Sequence, residues 1–408
     1  MMPSTTAELR KANLSRAVRM VHTAQGDLTR AELGRRLGCA RGTLGTLVAD
    51  LDAMGLVTET VAPATGRRGR PSACLVPAPE GPVVVALEIA TDCFRLASVT
   101  LGGHLLAIEQ RPFRQPQVNR VLAAARSALE QRFRLLGSRC AGVGIAVHGL
   151  VDQSTSIVSS AAGLGWVDVD VIGQLGLPPD RLTRIDNIAT LSALAEAVRG
   201  RSRQCGTVLY LHSAVGVGGA LTLNGAPLRG RRGFAGEYGH LPFGRQNLGC
   251  RCGVRGCWET EVDQLALARA AGLEATPATA ATIAAGILTR AARGESLART
   301  AVDQVASALG RGLGALVNVH DPDLLVLSGH AADLQAIAPE VVEAALGATA
   351  LPGHRPALPA LAASALGLQG ALIGAAESVF DQLIDELTGL ARPAGPTGPA
   401  ELIYATGR

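Results

Sequence analysis

The chain has 408 residues, more than one ordinary compact domain holds, and 48% of them are hydrophobic, enough to fill large cores. Only 3% are aromatic, so those cores are aliphatic, and eight cysteines over this length do not form the disulfide framework of a small secreted protein. The formal net charge of +4 is concentrated, because residues 1–80 carry 11 Lys and Arg against 7 Asp and Glu while the remainder carries 27 of each. A neutral body with a basic head fits an anionic partner for the head.

The opening M-M-P-S-T-T-A-E-L-R lacks the apolar run of a signal peptide, and later apolar runs are broken by glycine and charge. A cytoplasmic protein without membrane contact is expected, at the nucleoid when bound to DNA. Residues 13–21 predict a first helix, with Leu14, Val18 and Val21 on one face. Thr29 is placed to cap a second helix, Glu32 to return the capping bond, and Leu33 and Leu37 to face inward. Gly38, Cys39 and Ala40 make a turn, and a third helix from about Ala40 to Met54 buries Leu44, Leu47, Val48 and Leu51. This is a helix-turn-helix pattern whose second helix would enter a major groove. Arg41 and Thr43 are candidates for base edges or phosphate, Arg41 the better match to guanine. Arg35 and Arg36 are candidates for phosphate. After Gly55 a short strand, a turn at 63–66, the run G-R-R-G-R-P and the strand A-C-L-V predict a wing. Its Arg67, Arg68 and Arg70 suit a narrow, negative minor groove. Residues 1–76 thus read as a winged helix-turn-helix domain, and 77–82 (P-A-P-E-G-P) as a linker.

From Val83 the pattern changes to strands alternating with helices, which predicts an α/β body in two lobes, 83–185 and 186–380, with a cleft between. Residues 381–408 read as a helix end and a flexible tail. Cys39, Cys74, Cys93, Cys140 and Cys205 lie among apolar neighbours and are expected to be buried thiols. The densest chemistry lies at 240–259, H-L-P-F-G-R-Q-N-L-G-C-R-C-G-V-R-G-C-W-E. His240, Cys250, Cys252 and Cys257 are four soft or borderline donors with glycine-rich spacers, the composition of a closed structural zinc site.

The G-E-Y-G-H run at 236–240, followed by C-R-C-G-V-R-G-C-W-E at 250–259, resembles the ROK family of repressors, open reading frames and sugar kinases. The resemblance extends from the helix-turn-helix to residue 380 and is to the regulator branch of xylose and N-acetylglucosamine repressors. It implies a two-lobed sugar kinase and actin-like body, one zinc held by His240, Cys250, Cys252 and Cys257, and sugar contacts from Asn187, Glu237, His240 and Glu259. Carboxylates fixed by a metal-clamped loop are suited to accept from sugar hydroxyls.

The resemblance also marks losses. Family kinases carry N-D-A-N, with the Asp as general base, where this chain reads Asn187-Ile188-Ala189-Thr190. Their phosphate loop D-x-G-G-T is matched by Glu88–Cys93, E-I-A-T-D-C, without a glycine and with two carboxylates. Part of a second glycine loop remains at Ala214–Ala220, and His148 stands where the family has proline. No catalytic residue is therefore assigned. The expected function is a DNA-binding regulator, in the sense of a repressor, acting as a homodimer or homotetramer on a double-stranded operator and answering to a sugar or sugar derivative. A sugar kinase with a fused DNA-binding head, and a ligand-independent regulator governed by a protein partner, are the alternatives.

Overall fold

The structure is a computed structural model, and it describes residues 6–24, 26–61, 73–113 and 116–387. The chain divides into two compact units, one of residues 1–82 with 136–141 and 383–408, the other of 83–135 and 142–382.

The first unit begins with α1 (Thr6–Thr23), α2 (Arg30–Leu37) and α3 (Arg41–Ala53), followed by β1 (Val57–Val61) and β2 (Ala73–Pro77). The first helix is therefore longer at both ends than residues 13–21. Thr29 caps α2, its hydroxyl accepting from Glu32 N at 3.2 Å. The Glu32 carboxylate does not complete the reciprocal box, because it pairs with Arg35 and Arg36. Gly38 ends α2 at φ 67, where its N–H reaches Gly34 O and Arg35 O, a left-handed closure that glycine adopts without cost. The turn is held by a core of Val18, Val21, Leu33, Leu37, Leu44, Leu47, Val48 and Leu51, all buried. β1 and β2 pair antiparallel from Val57↔Pro77 to Val61↔Ala73. The basic loop with Arg67, Arg68 and Arg70 lies outside the described residues. Residues 79–81 are pinned, because Arg139 donates to Pro79 O at 2.9 Å and Gly81 O at 3.2 Å and pairs with Glu80 at 2.8 Å.

The second unit continues with β3 (Val83–Ile89), β4 (Cys93–Thr100), β5 (Leu105–Pro112), α4 (Val118–Leu136) and β6 (Cys140–Val147). Then come β7 (Leu150–Asp152), β8 (Ile157–Ala161), β9 (Trp166–Val169), α5 (Val171–Leu175), β10 (Leu182–Asn187) and α6 (Ile188–Arg199). A five-stranded sheet runs β10-β6-β3-β4-β5, and β7-β8-β9 form a small sheet of their own. β3 is buried along its whole length, as a central strand covered on both faces must be. The second large sheet comprises β11 (Thr207–Ala214), β12 (Gly216–Leu223), β13 (Ala226–Pro227), β14 (Leu324–Gly329) and β15 (Ala360–Ala363), in the order β13-β12-β11-β14-β15. Its helices are α7 (Glu259–Val262), α8 (Gln264–Ala270), α9 (Ala280–Ala292), α10 (Ser296–His320), α11 (His330–Ile337) and α12 (Pro339–Thr349). β14 pairs parallel to both β11 and β15, as strands joined by helical crossovers do.

The last helix, α13 (Gly370–Glu386), does not stay with the second sheet. A Cβ on Gly144 of β6 would meet the Ala375 backbone, one on Gly142 would sit 2.6 Å from Val379 Cγ1, and Arg199 of α6 pairs with Glu377 at 2.8 Å. The chain thus returns to the first lobe, which a division at residue 185 does not capture. Cys74, Cys93 and Cys140 are buried thiols, whereas Cys39 and Cys205 are partly exposed. Among the described residues, no helix is long and apolar enough to cross a membrane.

Candidate functional site

His240, Cys250, Cys252 and Cys257 converge, with one donor atom from each lying within 4.8 Å of all the others. His240 Nδ1 is 3.7 Å from Cys250 Sγ, and Cys252 Sγ is 3.7 Å from Cys257 Sγ. A tetrahedron with metal–sulfur bonds of about 2.3 Å has edges of about 3.7 Å, so the spacing suits a four-coordinate zinc and is far too long for a disulfide. The loop is folded by its own backbone, with Cys250 N donating to Val254 O at 2.8 Å and Gly253 N to Cys250 O at 3.0 Å. Gly253 and Gly256 take φ of 91 and 76, which explains the glycines between the cysteines. The loop is anchored from below by Trp258, fully buried, whose Nε1 donates to Ala308 O of α10 at 3.0 Å.

The candidate sugar carboxylates adjoin this cluster. Glu237 Oε2 lies 3.6 Å from His240 Nε2. Desolvation raises the Glu237 carboxyl above the usual range, His240 opposes this, and Glu259 adds to it. Glu259 is buried and opens α7. Its Oε1 is 2.8 Å from Cys250 Sγ and its Oε2 accepts from Val217 N at 3.3 Å. Asn187 differs in role. It is the N-cap of α6, its Oδ1 accepting from Ala189 N at 2.7 Å and its Nδ2 donating to Gly149 O at 2.8 Å. Its side chain fixes the strand end beside His148. His148 in turn feels the charges of Arg251, Glu259 and His240, so it belongs to the same cluster.

Ile188 is the first residue of α6 and partly buried. Asp186 is buried on β10 and engaged by Arg229 at 2.9 Å and by Asn187 N at 2.8 Å. The E-I-A-T-D-C stretch is also occupied internally, since buried Glu88 pairs with Arg95. The glycine run at 214–220 adjoins Glu259, whose Oε2 accepts from Val217 N. It forms the turn into β12 and receives the G-E-Y-G-H segment, with Gly239 against Val217 and Tyr238 against Gly219, whose Cβ would lie 2.6 Å from the ring.

In the first unit, Arg41 and Thr43 are exposed on α3 and have no side-chain partner among the described residues, whereas Arg35 and Arg36 share Glu32. Sequence reasoning missed Arg251, whose Nη2 donates to Val215 O at 2.7 Å, and Trp258 as the loop's anchor. Both lie inside the cysteine block, and that position was the only signal for them. A cavity of about 440 Å³ lined by Phe94, Arg111, Phe113 and Arg120 shares no residue with this cluster.

Residues 84–382 match the sequence model of the ROK family. A putative xylose repressor of Caldicellulosiruptor sp. (strain Rt8B.4) is 31% identical over 47% of this chain and 50% of its own length. The chain thus spans about half the length of that relative. A glucokinase of Halalkalibacterium halodurans is 26% identical over 60% of this chain and 79% of its own. Among solved structures, a ROK family transcriptional regulator described as a homolog of the E. coli MLC protein superposes with a TM-score of 0.73 at 23% identity, over 94% of this chain and 98% of that one. A glucokinase from Streptomyces griseus, in complex with glucose and AMPPNP, superposes at 0.65 and 23%, over 73% and 99%. These structural likenesses establish the fold, that of the sugar kinase type, and the family match covers well over half the sequence. The chain belongs to the ROK family.

Proposed function

We propose that this chain is a sequence-specific transcriptional regulator, in the sense of a repressor, that binds DNA through a winged helix-turn-helix head and responds to a sugar or sugar derivative without phosphorylating it. The observation that carries the reading is the pairing of an exposed α3, with Arg41 and Thr43 unengaged, and an isoleucine, Ile188, at the start of α6, where the resemblance puts the family's catalytic base. Arg41 is suited to a bidentate contact with guanine, and Arg35 and Arg36 to phosphates once they exchange Glu32 for the DNA backbone. Arg67, Arg68 and Arg70 would serve the minor groove. A homodimer would present two copies of α3 to a two-fold operator.

Glu237 and Glu259 would accept sugar hydroxyls, with His240 and Asn187 holding the walls of the site. Zinc fits the four donors and would supply rigidity alone, since all its positions are filled by protein. Isoleucine accepts no proton, and general-base help is worth roughly 10²–10⁴ in rate. Glu88, bound to Arg95, places a buried carboxylate where a phosphate would need donors. The ligand would act by favouring one of two dimer arrangements with different fit to the operator. Relatives named as xylose repressors and as a regulator support the reading, while those named as glucokinases keep a kinase with a fused head as the competing one.

The test is fluorescence anisotropy of the zinc-replete chain on DNA from upstream of its own gene, with and without xylose, glucose and N-acetylglucosamine. Salt-dependent binding released by one sugar supports the proposal. Turnover in a coupled ADP assay refutes the non-catalytic part of it.

A further inference from the structure

We propose that His148 contacts the ligand, donating from Nε2 to a sugar oxygen and thereby setting which hydroxyl pattern this chain accepts. The inference rests on the sugar-responsive reading above. His148 directly follows β6 and is fixed on both sides. Its own N–H donates to Ile89 O at 3.0 Å, and the carbonyl of Gly149 takes Asn187 Nδ2 at 2.8 Å. Neither ring nitrogen has a hydrogen-bond partner among the described residues, and Nδ1 is buried. A buried polar atom without a partner is rare enough to demand a reason.

The fold makes room for this ring. A Cβ on Gly163 would lie 3.2 Å from His148 Cε1, 3.3 Å from Nδ1 and 2.7 Å from Thr91 Cγ2. The Nδ1 edge is thus closed off against Gly163, with no acceptor for a proton there. An orphaned N–H is costlier than a bare lone pair, so the neutral ring carries its proton on Nε2. Burial, and after it Arg251, pushes the ring below the usual imidazole range, with Glu259 opposing. The chemistry of the cluster supplies the rest of the argument. Glu237 and Glu259 only accept, whereas every sugar also presents oxygens that need a donor. Arg251 spends Nη2 on Val215 O, so the rigidly placed donors beside the carboxylates are His240 Nε2 and His148.

The experiment is isothermal titration of the full, zinc-replete chain with xylose, glucose and N-acetylglucosamine and with the single-deoxy analogues of whichever binds. Wild type is compared with His148→Leu and His148→Asn, and melting temperature and zinc content are followed alongside. His148→Leu is expected to bind the parent sugar about tenfold more weakly, and His148→Asn, which keeps a donor, to recover part of that loss. One deoxy analogue should bind wild type and His148→Leu alike, a signature that a purely structural role does not give. Equal affinity of wild type and both variants for the parent sugar overturns the inference alone, as does a loss equal across all analogues. If His148→Leu melts early, His148→Asn carries the same comparison. Failure of wild type to bind any of the sugars overturns the sugar-responsive reading and this inference with it.

Discussion

Replacing Gly312 by alanine is the most direct probe of how the zinc loop is supported. Gly312 lies in the middle of α10, where alanine normally stabilises a helix by about 1 kcal/mol. Here the added methyl would fall within the Trp258 indole, which α10 contacts at its closest. The ring cannot retreat cheaply, because it is fully buried and its Nε1 bonds Ala308 O at 3.0 Å. Overpacking of this kind costs about 1–3 kcal/mol, and a broken buried hydrogen bond adds about 1–3 kcal/mol. Against the propensity gain, a net loss of about 3 kcal/mol is expected, equivalent to roughly 5–10 °C in melting temperature. Both tryptophans, Trp166 and Trp258, lie in the second unit, so intrinsic fluorescence reports that unit's unfolding. Cys257 and Glu259 flank Trp258, so zinc release to a chelator should quicken in parallel. A variant that melts at or above the wild-type temperature with unchanged zinc release would refute the reasoning.

The same substitution should have the opposite sign at Gly45 of α3, where a Cβ meets nothing within 4 Å. Gly45→Ala is expected to stabilise the head by about 0.5–1 kcal/mol in denaturant titrations followed by helical circular dichroism. Cys257→Ser should remove a donor from the metal cluster and lower zinc content by atomic absorption, with a lower melting temperature for the second unit. Ile188→Asp alone should not produce measurable hexose phosphorylation in a coupled ADP assay, because Glu88 and Arg95 still fill the phosphate side. Burial pushes His330 down to about 4, below the ordinary 6.5, so the unfolded chain takes up the proton first as pH falls. Stability should therefore be lost between about pH 6.5 and 4, by up to about 1.4 kcal/mol per pH unit from this residue, and His330→Leu should flatten that slope in urea midpoints.

Much of this architecture was legible because it depends on local rules. The strands from β3 to β6 follow from apolar runs bounded by glycine, and α3 from leucines at helical spacing. The metal donors follow from residue type and spacing, since few other functions require three cysteines among glycines. What escaped the sequence depends on packing at a distance. Asn187 carries a polar side chain beside a strand end, and nothing local says that the cap of α6 will use it. Asp186 is engaged by Arg229, more than forty residues on, a pairing nothing local announces. The packing role of the β12 glycines was hidden because close approach to a ligand and close approach to another segment make the same demand on a backbone. The assignment of α13 to the second lobe failed for a similar reason. An amphipathic helix declares that it has a buried face, and not which sheet will bury it.

That last helix has a consequence for synthesis. β6 ends at residue 147, yet the helix that seats on its Gly142 and Gly144 starts at residue 370. While the ribosome makes everything between, the first sheet must wait with that face uncovered, a patch for chaperones to hold. A transcript cut short anywhere before residue 370 would yield a chain whose head has its helices but whose body cannot close. Such a product would keep the apolar face of its sheet exposed, the kind of surface that aggregates or is held by chaperones.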